Sequence, residues 1–167
     1  MTAAVPVEEE LRTAVVAATP RLLALSEAEA ERAPGPGKWS PKEVIGHLID
    51  SASNNHGRFV RAQFEEDLVF LEYEQDAWVA SQRYRTAPWK ELVELWRLLN
   101  LHVARVIEAL PVSVRERPRE RHNFDRTAWR PVSRDTPVTL EYFLRDYVGH
   151  LEHHLGQIRG GAGAGSA

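Results

Sequence analysis

Cysteine is absent from the 167 residues of this chain. The absence excludes disulfide bonds, thiolate metal ligands and a cysteine nucleophile supplied by the protein. Any thiol chemistry would therefore need a thiol that arrives as a substrate. Long apolar runs are also missing, since none approaches the roughly 20 residues that span a membrane. The first ten residues are acidic and lack the basic and apolar regions of a signal peptide. We therefore expect a cytoplasmic protein with no membrane partner.

A strong charge of one sign is missing as well. The formal net charge is −3, and basic and acidic residues interleave along the chain. The most basic segment, residues 115–121, alternates arginine with glutamate and proline. Such a segment is more typical of a solvated loop than of a nucleic-acid-binding patch. We expect no nucleic-acid partner.

Four segments have the hydrophobic spacing of amphipathic helices, and none alternates as a strand would. Pro20 is expected to break or kink the first helix. Ser40, Pro41 and Glu43 are typical of a helix start: a hydroxyl cap, a proline and a capping-box glutamate. The helical segments are residues 7–32, 41–66, 88–110 and 139–158.

This pattern predicts an all-α fold, a four-helix bundle with long inter-helix connections. The bundle forms a single domain over residues 1–159, followed by a disordered Gly/Ala/Ser tail at 160–167. A short helix is predicted at 74–82, within the connection 69–86. The connection 112–137 carries three prolines and no sustained periodicity, so it reads as a long excursion. We expect one or both connections to cross the end of the bundle.

Two histidines near the C-terminus are the strongest functional signal. His150 and His154 stand four residues apart, so their rings share one face of a helix, and that face continues the apolar positions Leu140, Phe143 and Tyr147. Two inward imidazoles are costly to bury without partners. They are either core residues satisfied by hydrogen bonds or ligands of a metal ion.

A third histidine, His47, begins a polar row on the second long helix: His47, Ser51, Asn54 and Arg58. The row is either the wall of a functional channel or the solvent face of the helix. With His150 and His154, His47 completes a three-histidine set with an open coordination position, as catalytic metal sites have. His-Glu-x-x-His and Glu-x-x-His motifs are absent, so a single ion fits better than a zincin-like or di-iron site.

Other polar residues are candidates for substrate binding or catalysis. Asp50 is either a catalytic or ligand-orienting carboxylate or an acid on the helix surface. Asn54 and Arg58 are candidates for binding a polar or anionic group, although Arg58 would pair equally well with Glu66 or Asp67. The remaining candidates lie on the connections: Gln75, beside Tyr73 and Trp78, for the substrate, and His122 for the open metal position.

Two segments resemble the DinB-like superfamily. Residues 38–50 (KWSPKEVIGHLID) are similar to the opening of its second helix, and residues 147–158 (YVGHLEHHLGQI) are similar to its last helix. Residues 73–78 (YEQDAW) resemble a Tyr-x-x-x-x-Trp segment of the YfiT-like branch. The resemblance covers about residues 11–158. It implies a four-helix bundle in which His47, His150 and His154 hold one divalent ion, with Zn²⁺ or Ni²⁺ ahead of Fe²⁺ or Mn²⁺. The same resemblance implies a homodimer.

The resulting hypothesis is a metal-dependent enzyme that activates water or a low-molecular-weight thiol toward a small-molecule substrate. It would be a hydrolase in the first case and a thiol S-transferase in the second, as some members of the YfiT-like branch are. The alternative is a non-enzymatic bundle that binds metal or a small ligand in stress response or detoxification. A third possibility is a dimer scaffold that has lost its reaction. A fourth protein ligand, such as His122 or Asp50, would favour the alternative because it would close the coordination sphere.

Overall fold

The computed structural model describes residues 5–161, with side chains described as far as Ile158. Over this range the chain is helical, with isolated bridges but no named strand. The prediction of an all-α bundle is confirmed. The helices are α1 (Val7–Leu23), α2 (Glu27–Glu31), α3 (Pro41–Arg61), α4 (Gln75–Ser81), α5 (Trp89–Glu108), α6 (Val112–Arg115), α7 (Phe124–Thr127) and α8 (Leu140–Gly161), with a 3-10 turn at Tyr84–Thr86.

The bundle is built from α1, α3, α5 and α8. Helix α5 packs against α1 and α3 on one side, and α8 packs against the same two helices on the other. Consecutive long helices α1 and α3 therefore occupy opposite corners. As a consequence, α3 and α8 are neighbours although 78 residues separate the end of one from the start of the other. This adjacency brings distant parts of the sequence into one site.

The first helical segment is divided at a different place from the one expected. Helix α1 continues through Pro20 to Leu23, because proline in the last turn removes only one hydrogen bond. The division falls at Ser26, whose side chain caps α2 in a capping box with Glu29. Helix α3 begins as expected, with Ser40 and Glu43 in a second capping box. It ends at Arg61 rather than near residue 66.

The long connection after α5 is more structured than its sequence indicates. Arg119 and Val138 exchange two backbone hydrogen bonds, at 2.7 and 3.1 Å. The side-chain amide of Asn123 accepts a hydrogen bond from the backbone N–H of Phe70 at 2.9 Å and donates one to the backbone oxygen of Phe70 at 2.8 Å. The two long connections are thereby joined to each other beside α8.

The C-terminal end differs slightly from the expected boundary. Helix α8 runs to Gly161, so two residues assigned to the tail are helical. Residues 162–167 of the expected tail lie outside the described residues. Within the part of the chain that is described, no helix is both long and apolar enough to cross a lipid bilayer.

Candidate metal centre and its pocket

Three histidines from two helices converge between α3 and α8. His47 lies on α3 and is fully buried, while His150 and His154 lie one turn apart on α8 and are partly buried. One ring nitrogen from each lies within 4.8 Å of the others, and Nε2 of His47 is 3.1 Å from Nε2 of His150. Among the described residues, this is the one group of three or more His, Cys, Asp or Glu side chains that could hold a metal ion.

The three imidazoles fit a divalent ion. Zn–N bonds of about 2.0–2.1 Å in tetrahedral geometry place neighbouring ligand nitrogens about 3.3 Å apart, close to the 3.1 Å between His47 and His150. Burial, with a smaller contribution from neighbouring histidines, lowers the pKa of His47 to about 4 and that of His150 to about 2. Burial also lowers the pKa of His154. All three are therefore neutral near pH 7, the form that binds metal.

Nearby side chains orient the rings. Nδ1 of His154 donates to Oε1 of Gln157 at 2.9 Å, which leaves its Nε2 free to act as a ligand. The ring of Trp39 packs 4.9 Å from that of His47 and 6.4 Å from that of His154. Trp39 thus covers the histidines directly, in addition to its place before the α3 cap. His153 is exposed and faces Trp129, at 5.3 Å.

A cavity of about 240 Å³ adjoins His150 and His154. Helix α3 contributes Ser51, Asn55 and Arg58 to its wall, and α8 contributes Phe143, Asp146 and Tyr147 besides the two histidines. The remaining walls come from the two connections, at residues 72–75 and 126–129. Three members of the polar row on α3, His47, Ser51 and Arg58, are buried, and Ser51 and Arg58 line the pocket, so the interpretation of this row as a solvent face is wrong.

One position in the row differs from the expectation. Asn55, not Asn54, lines the pocket, so the buried polar row on α3 runs His47, Ser51, Asn55 and Arg58 in steps of four, four and three. Asn54 lies outside the lining, and its amide donates to the backbone oxygen of Asp50 at 2.9 Å. The sequence alone cannot show which of the two adjacent asparagines faces the pocket. Both lie within one residue of a full helical turn of 3.6 residues after Ser51.

Arg58 and Gln75, the other two residues predicted to bind the substrate, both line the pocket. Arg58 does not pair with Glu66 or Asp67. It donates instead to Oδ1 of Asn55 at 3.3 Å and to the backbone oxygen of Leu71.

Asp50 is buried, so the surface alternative for this residue is wrong. Its Oδ1 accepts hydrogen bonds from the Tyr84 hydroxyl and from Nε2 of Gln82, both at 2.7 Å. Burial raises its pKa above the ordinary value, although both hydrogen bonds oppose the shift. Asp50 is not part of the pocket lining.

The other candidate histidines are engaged elsewhere. Nε2 of His122 donates to the backbone oxygen of Thr136 at 2.9 Å, and its Nδ1 accepts from the backbone N–H of Phe124 at 3.1 Å. His122 is thus committed to its own loop and is not part of the three-histidine group. His56 and His102 form a separate ring contact at 5.1 Å between α3 and α5.

Asp146 was not anticipated from the sequence. Its two carboxylate oxygens accept the backbone N–H groups of Trp129 and Arg130, at 2.7 and 2.9 Å. The ring of Trp129 in turn lies over Gly149, where an added Cβ would be 3.2 Å from Cζ3. Asp146 therefore fixes the segment that covers the pocket next to His150. Its signal in the sequence is weak: an acid one turn before His150 on α8.

Asp146→Asn is expected to loosen this cover. An amide offers one oxygen, so one backbone N–H loses its acceptor and faces an NH₂ group instead. The expected cost is about 1–3 kcal/mol of unfolding free energy. Hydrogen exchange should rise first at residues 127–131. Asp125→Asn, which alters a carboxylate on the same segment that pairs with Arg134 near the surface, serves as the control. Equal exchange in both variants would contradict the role assigned to Asp146.

Comparison with known proteins agrees with this geometry. The model of the DinB superfamily matches residues 10–158. The chain belongs to the DinB superfamily. A relative in this superfamily is YfiT of Bacillus subtilis (strain 168), named as a candidate metal-dependent hydrolase, which is 27% identical over 122 residues. The match covers 73% of this chain and 63% of YfiT, so the chain spans less than two thirds of that relative's length.

A solved structure shows the same fold for this DinB-superfamily chain. It is that of YfiT from Bacillus subtilis, described as a probable metal-dependent hydrolase with an unusual four-helix bundle topology. The TM-score is 0.76 at 20% sequence identity, with 93% of this chain and 83% of that chain covered. At this identity the likeness concerns the fold alone.

Proposed function

We propose that this protein is a metal-dependent enzyme in which His47, His150 and His154 hold one divalent ion beside a substrate pocket. When bound, such an ion lowers the pKa of a water molecule or a thiol and so supplies a nucleophile near neutral pH. The proposal is supported by the convergence of three neutral imidazoles, two of which line a cavity. The hydrolase description of YfiT agrees with it.

The same arrangement disfavours a purely storage or structural metal site. Such sites are usually closed by four protein ligands. Within residues 5–158, no fourth His, Asp or Glu joins the group. The two residues that would have closed it, Asp50 and His122, are hydrogen-bonded elsewhere. His150 and His154 line the cavity, where a substrate can approach.

The protein's own side chains have distinct roles in this proposal. The three histidines supply ligand nitrogens, and Gln157 fixes the tautomer of His154. Trp39 shields His47 from solvent. Asp146 uses both oxygens to hold the cover of the pocket and is therefore a positioning residue, not a base. Arg58 and Gln75 bind the substrate, and Ser51 and Asn55 line the path between Arg58 and the histidines.

The proposal also includes the identity of the metal ion and of the nucleophile. Zinc and nickel are the ions best suited to three imidazoles, ahead of iron and manganese. The absence of cysteine is compatible with either water or an external thiol as nucleophile. The homodimer and the cytoplasmic location stay predictions.

A turnover assay with a neighbouring-histidine control tests the proposal. Protein freed of metal by a chelator is reloaded with Zn²⁺ or Ni²⁺ and assayed on ester and amide substrates and on thiol–electrophile pairs. Turnover should require metal and fall at least about 100-fold in His154→Ala, since even outer-shell changes at metal sites cost 10–100-fold. His153→Ala, one residue away and exposed, should retain activity. Equal rates in metal-free, His154→Ala and wild-type protein would refute the proposal of a metal-dependent enzyme.

A further inference from the structure

Arg58 is a buried cation that has no carboxylate partner. Its side chain is 7% exposed and lines the pocket. It donates two hydrogen bonds, to Asn55 and to the backbone oxygen of Leu71. No ion pair of Arg58 occurs among the described residues. Because a guanidinium carries five N–H groups, three remain without a protein acceptor.

This arrangement is unusual for an arginine with a purely structural role. Buried arginines are normally paired or fully hydrogen-bonded. Arg119, also buried, donates three hydrogen bonds, to the backbone oxygens of Glu65, Glu66 and Val114, although its Nε has no acceptor, and it does not line the pocket. Glu72 interacts electrostatically with Arg58, but its carboxylate pairs with Arg126 at 3.0 Å. Arg58 thus keeps spare donor capacity at the wall of a cavity.

The distance between Arg58 and the histidines sets the length of a ligand that could reach both. Arg58 follows His47 by eleven residues, which places the two Cα atoms about 16 Å apart along α3. Ser51 and Asn55 lie between them on the same face. After the reach of the side chains is subtracted, the distance left for a ligand is on the order of 10 Å. A ligand touching both ends must therefore be elongated.

We propose that Arg58 anchors the carboxylate of an elongated substrate whose reacting group lies at the three histidines. This inference rests on the proposed function, because it assigns the other end of the substrate to the metal centre. A guanidinium binds a planar carboxylate through two parallel hydrogen bonds. The rings of Phe70 and Phe143, at 5.6 and 6.0 Å from the Arg58 carbon Cζ, hold the guanidinium in place.

The charge of the pocket favours a carboxylate over a phosphate. Three acids, Glu72, Glu74 and Asp146, line the cavity against two arginines, Arg58 and Arg126, so a second negative charge at the Arg58 end of the ligand is disfavoured. A carboxylate carries one charge near pH 7, whereas a phosphate monoester carries nearly two. The substrate class is thus a monocarboxylate with a reactive group at the far end of its chain.

Calorimetric titration with simple probes tests the inference. The probes are linear monocarboxylates and α,ω-dicarboxylates of about four to about twelve carbons, which bracket the spacing along α3, and alkyl phosphates of equal length. Both metal-free and zinc-loaded protein are titrated. We expect the zinc-loaded protein to bind one length of dicarboxylate at least about tenfold more tightly than the matched monocarboxylate. Alkyl phosphates should bind more weakly than monocarboxylates.

Variants identify the residue responsible. Arg58→Gln should lose at least about tenfold in affinity for monocarboxylates in the metal-free protein and should lose the preference for length in the zinc-loaded protein. Arg61→Gln removes an equal charge from the same helix, but at an exposed position outside the pocket, and should bind within about twofold of wild type. Arg58→Lys keeps the charge without the paired donors, so it should bind severalfold more weakly than wild type. If Arg58→Gln does not fold, the affinity of Arg58→Lys tests the inference instead.

Two outcomes would overturn the inference: unchanged monocarboxylate affinity in a folded Arg58 variant, or equal losses in the Arg58 and Arg61 variants. If the proposed function is wrong, the same titrations give a different result. If wild-type protein binds no metal, the length preference never appears, but the Arg58-dependent binding of monocarboxylates to metal-free protein remains and supports the subsite.

Discussion

His47→Leu is expected to abolish the rise in melting temperature that zinc produces in the wild-type protein. Zinc that binds the folded chain alone stabilises it by about 2.7 kcal/mol when its free concentration is a hundred times Kd. For a chain of this size, that corresponds to a rise of roughly 5–11 °C. His47 is the one ligand of the three that comes from α3, so its loss leaves only the two nitrogens of α8.

The metal-free variant should be about as stable as metal-free wild type. Nδ1 of His47 is buried without a hydrogen-bond partner, so leucine removes an unsatisfied polar atom while it fills much of the same space. Scanning calorimetry with and without zinc separates the two effects. His102→Leu, at an exposed position on α5, should keep the full response to zinc. An unchanged response in His47→Leu would show that zinc binds elsewhere.

Gly46→Ala is expected to be among the most destabilising single-methyl changes in this protein. A Cβ at position 46 would lie 2.1 Å from Cδ2 and 2.3 Å from Cγ of Tyr84, well inside van der Waals contact. Tyr84 cannot simply rotate away, because its hydroxyl is bonded to buried Asp50. Overpacking of this kind costs about 1–3 kcal/mol, or roughly 2–12 °C in melting temperature.

A second glycine in the same helix provides the control. At Gly57 the nearest atom to an added Cβ is Nη1 of Arg61, at an ordinary 3.6 Å. Gly57→Ala should therefore gain about 0.5–1 kcal/mol, because alanine favours the helix over the unfolded chain. Thermal unfolding should move in opposite directions for the two variants. A rise in melting temperature for Gly46→Ala would mean that Tyr84 is not packed on α3 as described.

The fold could be predicted because its determinants are local. Helix periods, the caps at Ser40 and the four-residue spacing of His150 and His154 are all properties of short segments. The spacing also indicated that the two α8 histidines face inward, and the structure places them together with His47. Residue type suggested that His47 completes the set, and the family resemblance strengthened this prediction, since spacing alone cannot show which helices are neighbours.

The contacts around the site could not be predicted, because they join residues that are far apart in the sequence. Asp50 meets Gln82 and Tyr84, which lie 32 and 34 residues further along the chain. Asp146 meets Trp129 and Arg130 on a connection without periodicity. These contacts depend on how the connections fold over the bundle, which no hydrophobic pattern specifies. The choice between Asn54 and Asn55 likewise depends on the rotation of α3 by about 100°.

Metal content is the most direct test of the three-histidine centre. Wild type and His154→Ala, both without an affinity tag and never exposed to a nickel column, are analysed by plasma mass spectrometry after circular dichroism has shown that both are folded. About one divalent ion per chain is expected in wild type, as one three-histidine group requires, and its loss is expected in the variant. A folded wild type that holds no metal, even after incubation with zinc, nickel and manganese, would contradict the metal centre and leave the histidines as core residues.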